Sequence, residues 1–243
     1  MQYWALTDPG CVRKQNQDAY KVEQLDQNTL LCVVCDGMGG AKSGNIASAL
    51  AAEVFAQEVT ASYMPSMDRA AIEQLLSSAV KLANFTVFDQ SQSFEEFAGM
   101  GTTLAAMLVQ GNRAVLANVG DSRIYLISQN QIYQLTRDHS LVQMMIDQGE
   151  LTPQEGKSYP GKNMITRAVG TEATVQSDLF YLELEQGDIL FACTDGLTNL
   201  VDDQELLFEV VYNEDRLQCC QRLLQLALDR GAPDNVTCVL AQI

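Results

Sequence analysis

The sequence holds a single histidine, His139, among 243 residues, which argues against a zinc site built from imidazoles. Basic side chains are also scarce. Fifteen Lys and Arg against 31 Asp and Glu leave a formal charge of −16, so neither nucleic acid nor an anionic membrane surface is expected as a partner. No apolar run approaches the ~20 residues that cross a bilayer, and no basic segment precedes an apolar stretch at the start. A soluble, cytoplasmic protein without a membrane span is expected. The seven cysteines are odd in number, follow no disulfide framework and sit in or beside apolar segments, as in a reducing compartment. Cys32 and Cys35, three apart on a strand, point to opposite faces and do not readily share a metal or a disulfide. Cys219-Cys220 falls in a helical pattern and reads as core. Repeats, low-complexity tracts and linkers are missing as well, so residues 1–243 are expected to form one domain with a generous core.

What is present is organised around Leu30-Leu31-Cys32-Val33-Val34-Cys35-Asp36-Gly37-Met38-Gly39-Gly40. An apolar run of strand length ends in a carboxylate and a glycine cluster, which puts Asp36 at the lip of a buried strand where the backbone turns. Glycine permits a close backbone approach, so the Gly37 carbonyl can face the same ligand as Asp36. An Asp-Gly turn alone is most often only a turn. The same grammar recurs, however, at Asp121 and Asp195 after apolar strands and at Asp234 before one.

Taken in order, Tyr3 to Leu6 reads as a strand and Thr7-Asp8-Pro9-Gly10 as a turn. A polar loop from Arg13 to Asp18 then leads into a strand over Ala19 to Val22. Ser43 is placed to cap a helix from about Gly44 to Val59, and Asp68 another whose Ile72, Leu75, Leu76, Ala79 and Leu82 recur at helical spacing. From Thr102 to Leu135 four strands read as a meander, with turns at Gly111-Asn112, Gly120-Asp121 and Gln129-Asn130. Ser140 opens a short helix that Gly149 ends. Thr152-Pro153-Gln154-Glu155 is a capping box, and Tyr159 to Asn163 is a Pro/Gly loop suited to a mobile lid. Strands follow over Val175 to Leu184 and Ile189 to Thr194, helices open at Asp202 and Asp215, and Val236 to Ile243 forms the last strand. Antiparallel strands alternating with helix pairs indicate an α+β layered domain, not a doubly wound parallel one.

Strand-edge carboxylates from remote positions that meet on one rim repel one another, and cations relieve that repulsion. All-oxygen ligands select Mg²⁺ or Mn²⁺ over zinc. Asp138-His139-Ser140 has the residue types of a nucleophilic relay, but sequence neighbours splay apart; His139 reads better as ordering its loop. No cysteine opens the glycine-rich, arginine-ended loop that a thiolate phosphatase uses. A metal-held water remains as nucleophile, with two ions to activate it and to neutralise a phosphoryl group, and Arg13 as the guanidinium that grips two phosphate oxygens.

Arg13-x-x-Asn16-Gln17-Asp18, Asp36-Gly37-Met38-Gly39-Gly40, Gly101-Thr102-Thr103, Val119-Gly120-Asp121-Ser122-Arg123, Asp138-His139-Ser140, Thr166-Arg167-Ala168-Val169-Gly170, Thr194-Asp195-Gly196 and Asp234-Asn235 occur in one order. In that order the chain resembles the metal-dependent Ser/Thr protein phosphatases of type 2C, most of all their compact bacterial branch, which opposes Hanks-type Ser/Thr kinases. The resemblance spans essentially the whole chain. It implies a four-layer αββα sandwich, two central and mostly antiparallel sheets flanked by helix pairs, with two Mn²⁺ or Mg²⁺ ions between the sheets. It implies that Asp36 bridges both ions, that the Gly37 carbonyl binds the first, and that Asp195 and Asp234 bind the second. Asp18 and Thr102 would hold metal-bound waters from behind, Arg13 the phosphate, and Asp121 with Asp195 a third ion. A flap over about 141–167 would shape access. The implied substrates are phosphoserine and phosphothreonine proteins, including a Hanks-type kinase and its targets, acted on by a monomer. A catalytically weak relative that only binds phosphoproteins is the alternative, and it predicts lost ligands.

The chain departs from the family at three places. Met38 stands where animal members carry a histidine, as is usual in bacteria. Ala41-Lys42-Ser43-Gly44-Asn45 replaces the His-x-Ala-Gly-Glu common among bacterial relatives, which removes an imidazole from substrate contact. Tyr159 replaces a common flap histidine.

Overall fold

The computed structural model describes residues 1–39, 43–213 and 215–243. The Gly40, Ala41 and Lys42 positions of the glycine cluster and of the substituted motif lie outside the described residues. Each of the two sheets draws strands from both halves of the chain. Strand β1 (Gln2–Asp8) is followed by β2 (Asp18–Asp26), β3 (Thr29–Met38), helices α1 (Gly44–Ser62) and α2 (Arg69–Ser93), and then β4 (Gly101–Thr102), β5 (Leu104–Gln110) and β6 (Arg113–Val119). The second half supplies β7 (Arg123–Ser128), β8 (Gln131–Gln134), the short helices α3 (Leu141–Asp147) and α4 (Pro153–Lys157), β9 (Asp178–Glu183), β10 (Ile189–Cys193), α5 (Asp195–Thr198), α6 (Asp203–Tyr212), α7 (Arg216–Asp229) and β11 (Val236–Gln242).

The strands form two antiparallel sheets, ordered β1-β11-β10-β7-β8 and β2-β3-β5-β6-β9, with β4 paired to β3. Strand β3 shows why they stack. It is almost wholly buried and lacks polar alternation, so both of its faces must be covered. Leu31, Val33 and Cys35 pack under α1 and α2 with Phe55, Leu76 and Val80. Leu30, Cys32 and Val34 face the other sheet with Met107, Leu190 and Val239. Period-two geometry therefore separates Cys32 from Cys35, as expected. On the far side Tyr125, Phe191 and Leu240 pack under α6 and α7 with Leu206, Val210 and Leu223. Three apolar layers thus glue four structural layers, each fully buried Leu or Phe contributing roughly 1.5–3 kcal/mol.

Caps agree with the sequence at α2, α3, α4, α6 and α7, where Asp68, Ser140, Thr152, Asp202 and Asp215 accept backbone N–H groups. Ser43 occupies the position before α1 but makes no side-chain cap bond. The four-strand meander is corrected by the structure. Strands β5 and β6 pair with each other, whereas β7 and β8 belong to the opposite sheet. The chain crosses at Gly120, whose φ of +103° suits glycine. Both β6 and β7 are buried on two sides, so their pattern carries no sign of whether neighbours in sequence pair edge to edge or face each other. Strand β9 starts at Asp178, later than Val175. All seven cysteines are free thiols, and Cys11 is exposed on a turn rather than packed.

Candidate active site

Strands β2 and β3 pair with Asp18 opposite Asp36, so two carboxylates from one hairpin begin the site. The Asp36 backbone is held on both sides. Its N–H donates to Thr103 Oγ1 at 2.8 Å, and its carbonyl accepts from Thr103 N at 2.9 Å and Thr102 Oγ1 at 2.9 Å. Thr102 is therefore at the site, with its hydroxyl engaged by the Asp36 backbone. Gly37, the next residue, donates its N–H to Gln17 O at 3.0 Å, and a Cβ added at Gly44 would stand 2.8 Å from the Gly37 carbonyl. Asp36 lies within β3, two residues before its end, rather than at its last position.

Across the sheets, Asp18 Oδ2 accepts from Thr194 Oγ1 at 2.9 Å and Thr237 Oγ1 at 2.6 Å. One carboxylate thereby bridges the first sheet to β10 and β11 of the second. Its other oxygen, Oδ1, is buried with no hydrogen-bond partner among the described residues, an arrangement that costs on the order of 1–3 kcal/mol unless a ligand meets it. Asp195 follows β10 as the first residue of α5, where the sequence reading had only a turn, and its Oδ2 accepts from Asn199 Nδ2 at 2.9 Å. Gly196 beside it is required by packing, since a Cβ there would lie 1.9 Å from Asn235 O.

Asp234 precedes β11 and pairs with Arg13, Nη2 to Oδ2 at 2.7 Å. The guanidinium is half exposed, so the expected phosphate clamp does reach the rim but currently grips a carboxylate of the cluster. Asn235 sets this up, although the sequence reading gave it no role of its own. Its Oδ1 accepts from Gln17 N at 2.7 Å, and its Nδ2 donates to Pro9 O at 2.9 Å and Gln15 O at 3.0 Å. These bonds tie the loop that carries Arg13 to the start of β11. Thr194 and Thr237, which hold Asp18, were likewise invisible as partners, because a threonine in a strand signals only β-propensity.

The carboxylates act on one another. Burial raises the Asp36 carboxyl well above the usual carboxylate range, and Asp18, Asp195, Asp121 and Asp234 add to it. Burial, then the charges of Asp195 and Asp234, push Asp18 up to about 7 against the Thr237 and Thr194 hydroxyls. Asp121, just past Gly120, is pushed up to about 8 by burial and by Asp195 and Asp138. Asp195 is raised by burial and Asp234, and is opposed by hydrogen bonds from Asp36 and Asn199. All five carboxylates keep partial contact with solvent, while the protein packed around Asp18, Asp36, Asp121 and Asp195 makes their ionisation costly. Among the described residues no three acidic, His or Cys side chains already form a closed ion-holding group. The charges of Asp18, Asp195, Asp121 and Asp234 all reach Asp36, which places the five carboxylates in one neighbourhood. Oxygen-only donors, excess negative charge and the unpartnered Asp18 Oδ1 fit hard divalent cations.

His139 is buried away from this chemistry. Its Nδ1 accepts from Gly120 N at 3.0 Å and its Nε2 meets Asp178 Oδ2 at 3.1 Å, while burial lowers its pKa. A neutral ring accepting from a backbone N–H orders the Gly120-Asp121 turn. His139 also anchors the segment over 141–167, since its carbonyl accepts from Thr166 N at 2.7 Å and Ser140 bridges Ile165.

Comparison with known proteins places this geometry. A family model described as protein phosphatase 2C matches residues 12–230. The serine/threonine phosphatase stp of Listeria welshimeri is 34% identical over 239 residues, covering 97% of this chain and 93% of that protein. The crystal structure of the serine/threonine phosphatase Stp1 from Staphylococcus aureus superposes with a TM-score of 0.94 at 38% identity, covering 100% of this chain and 94% of that one. The catalytic domain of the serine/threonine protein phosphatase PstP in complex with two manganese ions gives 0.86 at 34% identity, covering 99% and 97%.

Proposed function

Since the chain belongs to the protein phosphatase 2C family, we propose that it is a metal-dependent protein phosphatase that hydrolyses phosphoserine and phosphothreonine on proteins. The observation that carries this reading is the cleft between the sheets, where Asp36, Asp195 and Asp18 press on one another's charge beside Arg13. Residues 1–243 form one catalytic domain in this reading, because the two sheets share an apolar layer that neither completes alone.

Asp36, Asp195 and Asp234 with the Gly37 carbonyl are the ligands for two Mn²⁺ or Mg²⁺ ions, and Asp121 with Asp195 is the place for a third. Ions held there supply hydroxide at neutral pH and neutralise phosphoryl charge. The protein's own groups do the rest. Asp18, fixed by Thr194 and Thr237, offers Oδ1 as the acceptor that aims the attacking water. Thr102 fixes the Asp36 carbonyl and with it the direction of the carboxylate. Arg13 leaves Asp234 to grip two phosphoryl oxygens, and Asn235 keeps its loop in reach. Met38, a thioether, supplies no proton to the leaving serine or threonine oxygen.

The reading extends to partners. Phosphorylated Ser/Thr proteins are the substrates, a Hanks-type kinase and its targets among them, and the enzyme works as a monomer in the cytoplasm. In support, no helix among the described residues is long and apolar enough to cross a membrane. The deciding experiment mixes purified protein with a phosphothreonine peptide and Mn²⁺. Phosphate is released, release stops with EDTA, and it returns with excess metal. Release indifferent to EDTA sinks the reading.

A further inference from the structure

A second feature lies just past the carboxylates, at the end of β3. Met38, two residues beyond Asp36, faces the segment 165–176 across a groove of about 460 Å³. Behind Met38 lies Gly101, its partner across β3 and β4. A Cβ at Gly101 would lie 2.7 Å from Thr171 Cγ2 and 3.1 Å from Met38 Cε, so the missing side chain leaves room for both. The opposite wall is rigid. Val169 exchanges backbone hydrogen bonds with Thr102, at 2.9 and 3.0 Å. Buried Asn84 of α2 accepts from Gly170 N at 2.8 Å and donates to Glu172 O at 3.0 Å. A preformed wall costs a ligand little ordering.

The charge of this groove is one-sided. Arg167 lines it, but its guanidinium is committed to Asp178 Oδ1 at 2.7 Å and Gln176 O at 3.1 Å. Glu172, exposed on the lip, takes part in no ion pair among the described residues. Resting on the phosphatase reading, we propose that the groove binds the stretch of phosphoprotein flanking the phosphorylated residue, and that Glu172 selects a lysine or arginine there. The distance from Asp36 to Met38 along β3 is roughly 6.6 Å, which an extended peptide covers in about two residues. The groove therefore begins about two positions from the phosphorylated residue, and selection is tested there first.

The test uses the whole chain with Mn²⁺ and phosphothreonine peptides that differ only in carrying Arg or Glu about two positions to either side. The native protein favours Arg over Glu roughly threefold in kcat/KM, the scale of an exposed ion pair. The difference resides in KM and shrinks at high salt. The ratio falls to about one in Glu172→Gln and inverts in Glu172→Arg; because each ratio is taken within one protein, a general loss of activity cancels. A native ratio of one, or a ratio unmoved by both substitutions, overturns the proposal. p-Nitrophenyl phosphate, which has no flanking residues, separates the two readings. If the native chain hydrolyses it and the peptides without discrimination, the groove has no such role. If it hydrolyses neither, the phosphatase reading fails and the groove proposal with it.

Discussion

Strand β2 carries a carboxylate at each end, and the two are treated oppositely. At its far end Asp26 is saturated with donors: Oδ1 accepts from Asn28 N at 2.7 Å, and Oδ2 from Thr29 Oγ1 at 3.0 Å and Tyr63 OH at 3.5 Å. Gln110 Nε2 in turn donates to Tyr63 at 2.7 Å, so the turn between β2 and β3 is closed by a satisfied network. At the near end Asp18 has two donors on one oxygen and none on the other, with three further aspartates pressing on it or on Asp36. Nothing in the fold forces that deficit, since the same hairpin shows how a carboxylate is satisfied. A cluster left short of positive charge and of donors is a cluster kept for a ligand.

The comparison breaks most visibly at Asp195. Asp195→Asn removes a proposed ligand and is expected to lower kcat at least about a hundredfold, or about 2.7 kcal/mol of barrier, on a phosphothreonine peptide with Mn²⁺. The same variant unfolds in EDTA at a temperature no lower than the native chain, because one buried charge fewer must be accommodated. Unchanged turnover removes Asp195 from the ligand set. The loop that brings Arg13 comes next. Asn235→Ala deletes three buried hydrogen bonds and costs on the order of 2–3 kcal/mol, seen as a lower urea midpoint, and raises KM by freeing the Arg13 loop.

A pH scan sharpens the contrast without mutation. Burial and neighbouring carboxylates push Asp18 up to about 7 and Asp121 up to about 8, from the ordinary carboxylate value of 3.8. The folded state then holds protons that the unfolded chain releases. In EDTA, stability is fully present below about pH 4 and is lost as pH rises through 7 to 8. After allowance for water reaching the cleft, the loss is on the order of 1–2 kcal/mol, or several degrees in Tm. Mn²⁺ flattens the slope, and a slope of opposite sign would falsify the electrostatic reading of the cleft. The smallest effect belongs to the far end: Tyr63→Phe removes a hydroxyl from the Asp26 network, costs about 1 kcal/mol and leaves kcat/KM on p-nitrophenyl phosphate unchanged.

Much of this was legible residue by residue. The run Leu30 to Cys35 predicted a buried strand because it has no polar alternation, and Asp68, Thr152, Asp202 and Asp215 marked helix starts through local bonds that need only a few neighbouring residues. The carboxylates announced themselves by standing at the ends of apolar strands. The crossing at Gly120, the helix that begins at Asp195 and the missing cap bond of Ser43 were not legible, since each depends on what the rest of the chain packs nearby.

By itself the sequence determined the strand and helix periods, the carboxylates that stand beside apolar strands, and the capping that starts most helices, because those follow from interactions within a few residues. Only the tertiary structure decided that β6 and β7 face each other in different sheets and that Thr194 and Thr237 hold Asp18. It alone turned Arg13 onto Asp234 and put Asn235 in charge of the loop. These are contacts between residues up to 226 positions apart, chosen by how the layers stack, and no local pattern encodes them.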